Sequence, residues 1–425
     1  VTPELLEYFQ RELRFLDMEG TRFARLFPEI AGALEADAAT HADPHADRML
    51  QAFAWLNARI QLSLDRDLSH LTDAFFSVVL RHLQRPVPSC AVVEISLRRP
   101  DEISPKGVVV PRGSVLVADE HRGVSCRFRT SFPVELRPLE LRDVELTRLT
   151  PEQAPGGIVQ ARAMLRLRLS GVPSGRDASL DGLDRLRLFL QGPRTTTFPL
   201  YELLVRDTVG LSVAGANGRT AHIACPGLID GAGFGPGESL CPWSARSPQG
   251  HCLLREFFAF PEKHLFVDVC RFGDVAAGEW GEFADLTLYF DRPRRELEAD
   301  VGPGTMRLHC TPIVNLFPLR AEPIPLTHER ESYPVIASAR WPEEFEVYSV
   351  DRVTAVSAER SVRLPELYEP QRPDWTSPAS AAWTALRLSQ SQPGTRSDVV
   401  LALSDPEGDL LAADTWTLDV ETTCL

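Results

Sequence analysis

Glycine and proline are unevenly placed in this chain, and that placement constrains the fold more than any motif does. Of the 61 such residues among 425, only Gly20, Gly32, Pro3, Pro28 and Pro44 fall within the first 85 positions. Both residues are the most costly in a helix interior, so a segment this poor in them is predicted to be helical. The remaining 340 positions carry the other 56, which suits short strands joined by frequent turns. The expected fold class is α+β: an N-terminal four-helix bundle followed by two or more β-sandwich-like domains. At roughly 150 residues per domain, the length allows about three. The expected divisions are a helical assembly domain at 1–89, a β-rich domain at 90–250 and a second β-rich domain at 251–425.

Periodicity supports the division. Tyr8, Phe9, Leu13 and Leu16 recur at a spacing of three and four, as do Phe23, Leu26, Phe27 and Ile30. Asp43-Pro44 reads as an N-cap followed by a first-turn proline, opening a third helix with Met49, Phe53, Leu56 and Ile60 on one face. Leu71, Phe75, Val78 and His82 mark a fourth, closed by Pro86 and Pro88. From Cys90 the period becomes two. Gly107–Pro111 and Ser114–Ala118 read as a hairpin around Arg112-Gly113. Alternation is cleanest over Ala163–Leu169 and Leu186–Leu190, and a short helix is predicted near Phe198–Arg206.

Formal net charge is −14, which disfavours nucleic acid and anionic membrane as main partners. Only Lys106 and Lys263 among the 45 basic residues are lysines. No apolar run approaches the roughly 18 residues that a spanning helix needs. Eight cysteines without a C-x-x-C pair suit a reducing cytoplasm better than a disulfide scaffold.

No constellation of residues commits the chain to catalysis. His41-x-Asp43-x-His45-x-Asp47 places ligand types at every second residue, a spacing that converges only on a strand, whereas Asp43-Pro44 starts a helix. His222, Cys225, Cys241, His251, Cys252 and His264 form a loose set with one close pair, and buried thiols are the simpler reading. Gly231–Gly237 lacks the Gly-Lys-Ser/Thr of a phosphate cradle and reads as a flexible loop. His328-Glu-Arg-Glu-Ser332 has no second histidine for a zincin. The expectation is a chain without enzyme activity, metal or cofactor. A β-sandwich carbohydrate-binding or carbohydrate-active protein is the alternative, distinguished by whether Trp243, Trp280, Trp341, Trp375, Trp383 and Trp416 form an exposed row.

Several ordered stretches resemble one family. They are Tyr8-Phe-Gln-Arg-Glu-Leu-Arg-Phe-Leu16, Phe23-Ala-Arg-Leu-Phe-Pro-Glu-Ile-Ala31, Arg48–Ile60, Leu71-Thr-Asp-Ala-Phe75, and Arg85-Pro-Val-Pro-Ser89. Leu253–Phe266, Val314–Pro323 and Tyr348-Ser-Val-Asp-Arg-Val353 follow in order. This set is similar to the TssF family of type VI secretion baseplate subunits. The resemblance implies a structural wedge protein that scaffolds sheath and tube assembly with TssG, TssK and TssE and meets the VgrG hub. It also implies a second copy of the chain in each wedge and a place in the cytoplasm at the inner-membrane-docked baseplate. Cys252 and His264 depart from the aromatic residues expected there, and Leu425 falls where the family continues, so a further C-terminal domain is expected. The helical faces carry more apolar residues than one stripe per helix, a surplus that either the β region of the same chain or a partner's helices must cover. The resemblance implies the partner, with Phe9, Leu13 and Leu16 as the expected partner-binding residues.

Overall fold

A computed structural model describes residues 3–33, 44–121, 123–150, 152, 157–158, 160–173, 176–224, 227–243, 247–276, 278–327, 329–367, 381–388, 396–404 and 416–425. The chain divides into two compact units, Val1–Gln84 and Arg85–Leu425.

The first unit is helical, but it is not a bundle of four comparable helices. Helix α1 spans Pro3–Leu26, α2 Pro28–Ala33, α3 Pro44–Val79 and α4 Arg81–Gln84. The expected third and fourth helices are one 36-residue rod, because no glycine or proline interrupts residues 45–79. The expected first helix continues through Gly20 to Leu26, and the approach to Pro28 ends it. Helix α1 packs antiparallel to α3. Tyr8 donates to Asp65 (2.6 Å), Arg11 to Gln61, and Asn57 to the buried Glu12 (2.6 Å). Ala54 and Ala58 have no exposed surface, so the small side chains of α3 lie at the covered face.

The second unit is built from several sheets. One orders Thr220–Ala224, Thr208–Gly215, Phe283–Phe290, Ala163–Gly171 and Leu139–Arg148, all antiparallel. A second orders Ile229–Gly231, Phe266–Val269, Leu186–Leu190 and Met306–Arg307. Both contribute to one apolar cluster, in the manner of a sandwich, with Leu200, Leu203 and Leu204 of helix α5 (Arg194–Asp207) added to it. The predicted alternation explains the first sheet. Leu165, Leu167 and Leu169 are fully buried, while Arg166 and Arg168 on the other face pair with Glu145 and Asp285.

Strands from either side of residue 250 pair with one another, as in Leu186–Leu190 with Phe266–Val269 and Cys90–Glu94 with Cys310–Val314. The second large apolar cluster begins at Phe317 and runs to Cys424. Its sheet places Thr417–Cys424 between Val347–Val356 on one side and Phe317–Arg320 on the other. That final strand is therefore interior, with neighbours on both edges.

The expected hairpin around Arg112-Gly113 does not form. Val108–Val110 pairs with Val134–Leu136, and Val115–His121 pairs with Val124–Thr130. The Pro111–Ser114 turn instead hands the chain from one ladder to another, with Gly113 at φ 83° donating to the Thr130 carbonyl.

Candidate functional site

The helical unit presents its apolar residues in two sets. Phe9, Leu13 and Leu16 share the side of α1 that carries buried Glu12, and all three are half-buried. The Phe9 ring meets Trp55 edge-on, with centroids 5.4 Å apart. Met49, Phe53, Leu56, Ile60 and Leu64 recur along α3 at steps of three and four, and each is at least 56% exposed. Phe15, Met18, Phe23 and Leu26 of α1 are also exposed. A side chain of this size gains about 1.5–3 kcal/mol on full burial, so such a stripe is a surface that another helix can cover.

In the second unit the densest polar arrangement was not anticipated. Helix α6 (Gln249–Ala259) ends before Pro261, and a 3-10 turn, Pro261–His264, folds Lys263 beneath it. Lys263 has no exposed surface, and its ammonium meets the buried Glu256 carboxylate. Glu256 also accepts from the backbone N–H groups of Leu240 (2.9 Å) and Cys241 (3.4 Å) and from the Trp243 indole (3.1 Å). Its neighbour Arg255 donates to the carbonyls of Arg85 and Pro86 (3.1 Å for the latter). The Arg85 guanidinium lies 5.1 Å from the Tyr348 ring centroid. Helix α6 is thereby tied to the 240–243 loop and to the segment that opens this unit. The sequence did hold a signal: Lys263 is one of two lysines in a chain that otherwise uses arginine. A buried ammonium with one carboxylate partner is a different task from a surface cation.

Beside this pair lies an aromatic surface. His264 sits 4.8 Å from Phe234 and 5.8 Å from Phe257, and Phe257 meets the exposed Phe258. Burial, with the charge of Lys263 beside it, holds the His264 pKa down to about 4.

The Gly231–Gly237 segment is a structured loop rather than a flexible one. Its amides do cradle an anion, and the anion is the chain's own Glu238, which accepts from Gly233 (2.8 Å) and Gly235 (3.4 Å). Arg187 donates to the same carboxylate (2.8 Å) and holds Asp268 through two bonds of 2.7 and 2.8 Å. Burial raises the Glu238 pKa, but the Gly233 amide and the Arg187 charge outweigh it and leave it below the usual value. The cradle's donors are thus directed at a group the chain itself provides.

The other sequence candidates do not converge. His41, Asp43, Cys225 and His328 lie outside the described residues; of the first motif, His45 is exposed at the start of α3. Among the described residues, no three of His, Cys, Asp and Glu are grouped to hold a metal. Burial pushes the Cys90 and Cys310 thiols up to about 12, far from a reactive thiolate. Trp280, Trp383 and Trp416 are buried and Trp55, Trp243 and Trp341 half-buried, so the described tryptophans form no exposed row for sugar stacking. Trp375 lies outside the described residues.

A chain in the cryo-electron microscopy structure of the type VI secretion TssK-TssF-TssG baseplate subcomplex superposes with a TM-score of 0.68 at 23% identity, over 89% of this chain and 67% of that one. A chain of the baseplate complex from the type VI secretion system gives 0.50 at 23% identity, over 99% and 70%. The type VI secretion system component TssF1 of Pseudomonas aeruginosa is 31% identical over 366 residues, 83% of this chain. The chain spans 58% of that relative's length. The family model for type VI secretion system TssF matches residues 1–425, and the chain belongs to the TssF family.

Proposed function

We propose that the chain is a structural, non-catalytic subunit of the type VI secretion baseplate wedge. It binds TssG through its helical unit and TssK as part of the same complex. In the assembled wedge it meets TssE, the VgrG hub and a second copy of itself, and it scaffolds sheath and tube growth from the cytoplasmic side of the docked baseplate. The observation that carries this reading is the exposed stripe Met49, Phe53, Leu56, Ile60 and Leu64 in a TssF-family chain. An isolated chain leaves that stripe wet, whereas a shared helical core covers it. Phe9, Leu13 and Leu16 contribute from the α1 seam by fixing the stripe's backbone and by offering their remaining surface.

Co-expression with TssG and TssK followed by size exclusion tests the proposal. A three-protein peak at micromolar concentration and physiological salt is expected. Separate elution would overturn the baseplate reading. Leu13→Asp is expected to abolish the complex; if it also unfolds the chain alone, Leu13 is interior and makes no intermolecular contact.

A further inference from the structure

We infer that Val115–His121 is a docking edge for an extended segment of another protein, which adds to the sheet as a strand. The strand ends its sheet, whose order is Cys90–Glu94, Cys310–Val314, Val124–Thr130, Val115–His121. Its register with the next strand pairs Val115 with Arg129, Leu116 with Phe128 and Val117 with Arg127. The Thr130 amide donates to the Ser114 carbonyl (3.0 Å), which makes Ser114 and Thr130 a hydrogen-bonded pair. Hydrogen-bonded and non-bonded pairs alternate along an antiparallel ladder, so Leu116 bonds inward while the N–H and C=O groups of Val115 and Val117 point to the open side.

The same two residues are exposed at their side chains, Val115 by 62% and Val117 by 66%. Natural edge strands are usually blunted by lysine, proline or an inward charge, and Val115–Val117 carries none of these. The blunting begins only afterwards, with a bulge between Val117 and Glu120 and with Asp119 and Glu120 themselves. The usable edge is thus short and has a defined chemistry. Four main-chain groups require a strand rather than a helix, the valines require β-branched or aliphatic neighbours, and the acidic end requires cations. The occupant is an antiparallel segment in which one or two basic residues precede alternating apolar ones. A contact of this length serves as one element of a larger interface.

The partner rests on the baseplate reading, so the test uses the full chain with a purified TssG–TssK complex as probe. Hydrogen exchange is read over residues 114–119 for the chain alone and for the complex. The amides of Val115 and Val117 are expected to exchange freely in the chain alone and to slow by at least about tenfold on assembly. Val117→Pro, which removes an outward N–H and no ladder bond, is expected to weaken assembly about three- to tenfold. Val117→Lys keeps the N–H, opposes the cations and is expected to weaken it similarly, with the melting temperature of both variants unchanged. A complex that forms with these amides as fast as in the free chain overturns the docking edge and leaves the baseplate reading intact. Failure to form any complex removes both. Protection that rises with concentration of the chain alone assigns the edge to a second copy and also overturns the proposal.

Discussion

Lys263 and Glu256 form a fully buried ion pair in which, among the described residues, the carboxylate but not the ammonium has further partners, three N–H donors from the 240–243 loop. The two charges are therefore not equivalent in what their loss leaves behind. Removing one partner of a buried pair typically costs about 3–5 kcal/mol. Glu256→Ala strands an ammonium and three donors and is expected at or above the top of that range. Lys263→Met leaves a carboxylate that still accepts three bonds and is expected to cost less. Urea denaturation of the full chain gives the order, and equal costs would show that the loop donors find other acceptors.

Acid should weaken the fold before the carboxylates titrate. His264 and His309 both have pKa values held down to about 4, chiefly by burial, and the His309 Nε2 accepts from the Arg137 amide (3.3 Å). The unfolded chain takes up these protons near pH 6.5 and the folded chain does not, so stability falls as pH drops from about 6.5 to about 4. The expected uptake on unfolding in that window is about two protons from these residues. His264→Phe, which keeps a ring between Phe234 and Phe257, should reduce it by about one. Denaturation midpoints at several pH values check this.

The two faces of α3 should respond in opposite ways. Ala58 has no exposed surface at the face that packs on α1, so Ala58→Leu overpacks the pair and should cost about 1–3 kcal/mol. Phe53→Asp alters a side chain that is 59% exposed and should leave the chain's own stability within about 0.5 kcal/mol. The complex with TssG should nevertheless be lost in Phe53→Asp. A fall in melting temperature for Phe53→Asp alone would place that face in the chain's own core.

Glu238→Ala should loosen the 231–237 loop without disturbing Arg187, which keeps its two bonds to Asp268. The Gly233 and Gly235 amides lose their acceptor, at a cost of about 1–3 kcal/mol. Exchange of the Gly233 amide should accelerate while that of Val267, in the strand beneath, stays slow. Unchanged exchange at Gly233 would show that water replaces the carboxylate.

The kind of structure was legible in the chain itself. Scarce breakers marked the helical start, α3 begins at the predicted Pro44, and Leu165, Leu167 and Leu169 face inward as their alternation required. These features are local, since a 3.6- or two-residue period reports which side of an element is apolar. The ordered motifs carried the family for the same reason, being short contiguous stretches.

Local period cannot say what covers an apolar face. Phe9, Leu13 and Leu16 have the same spacing logic as Phe53, Leu56 and Ile60, yet packing leaves the first set half-buried and the second exposed. Helix length was hidden as well, since the segments expected as a third and a fourth helix form one rod in which no glycine or proline breaks the backbone. Strand partners were equally hidden, since Cys90–Glu94 pairs with Cys310–Val314 across more than two hundred residues. Even Glu256 and Lys263, seven residues apart, meet only because Pro261 ends the helix and the turn folds the lysine beneath it. The sequence by itself determined which segments are helix or strand and which sides are apolar. Tertiary structure alone decided which of those sides meet, because burial depends on neighbours that lie far along the chain.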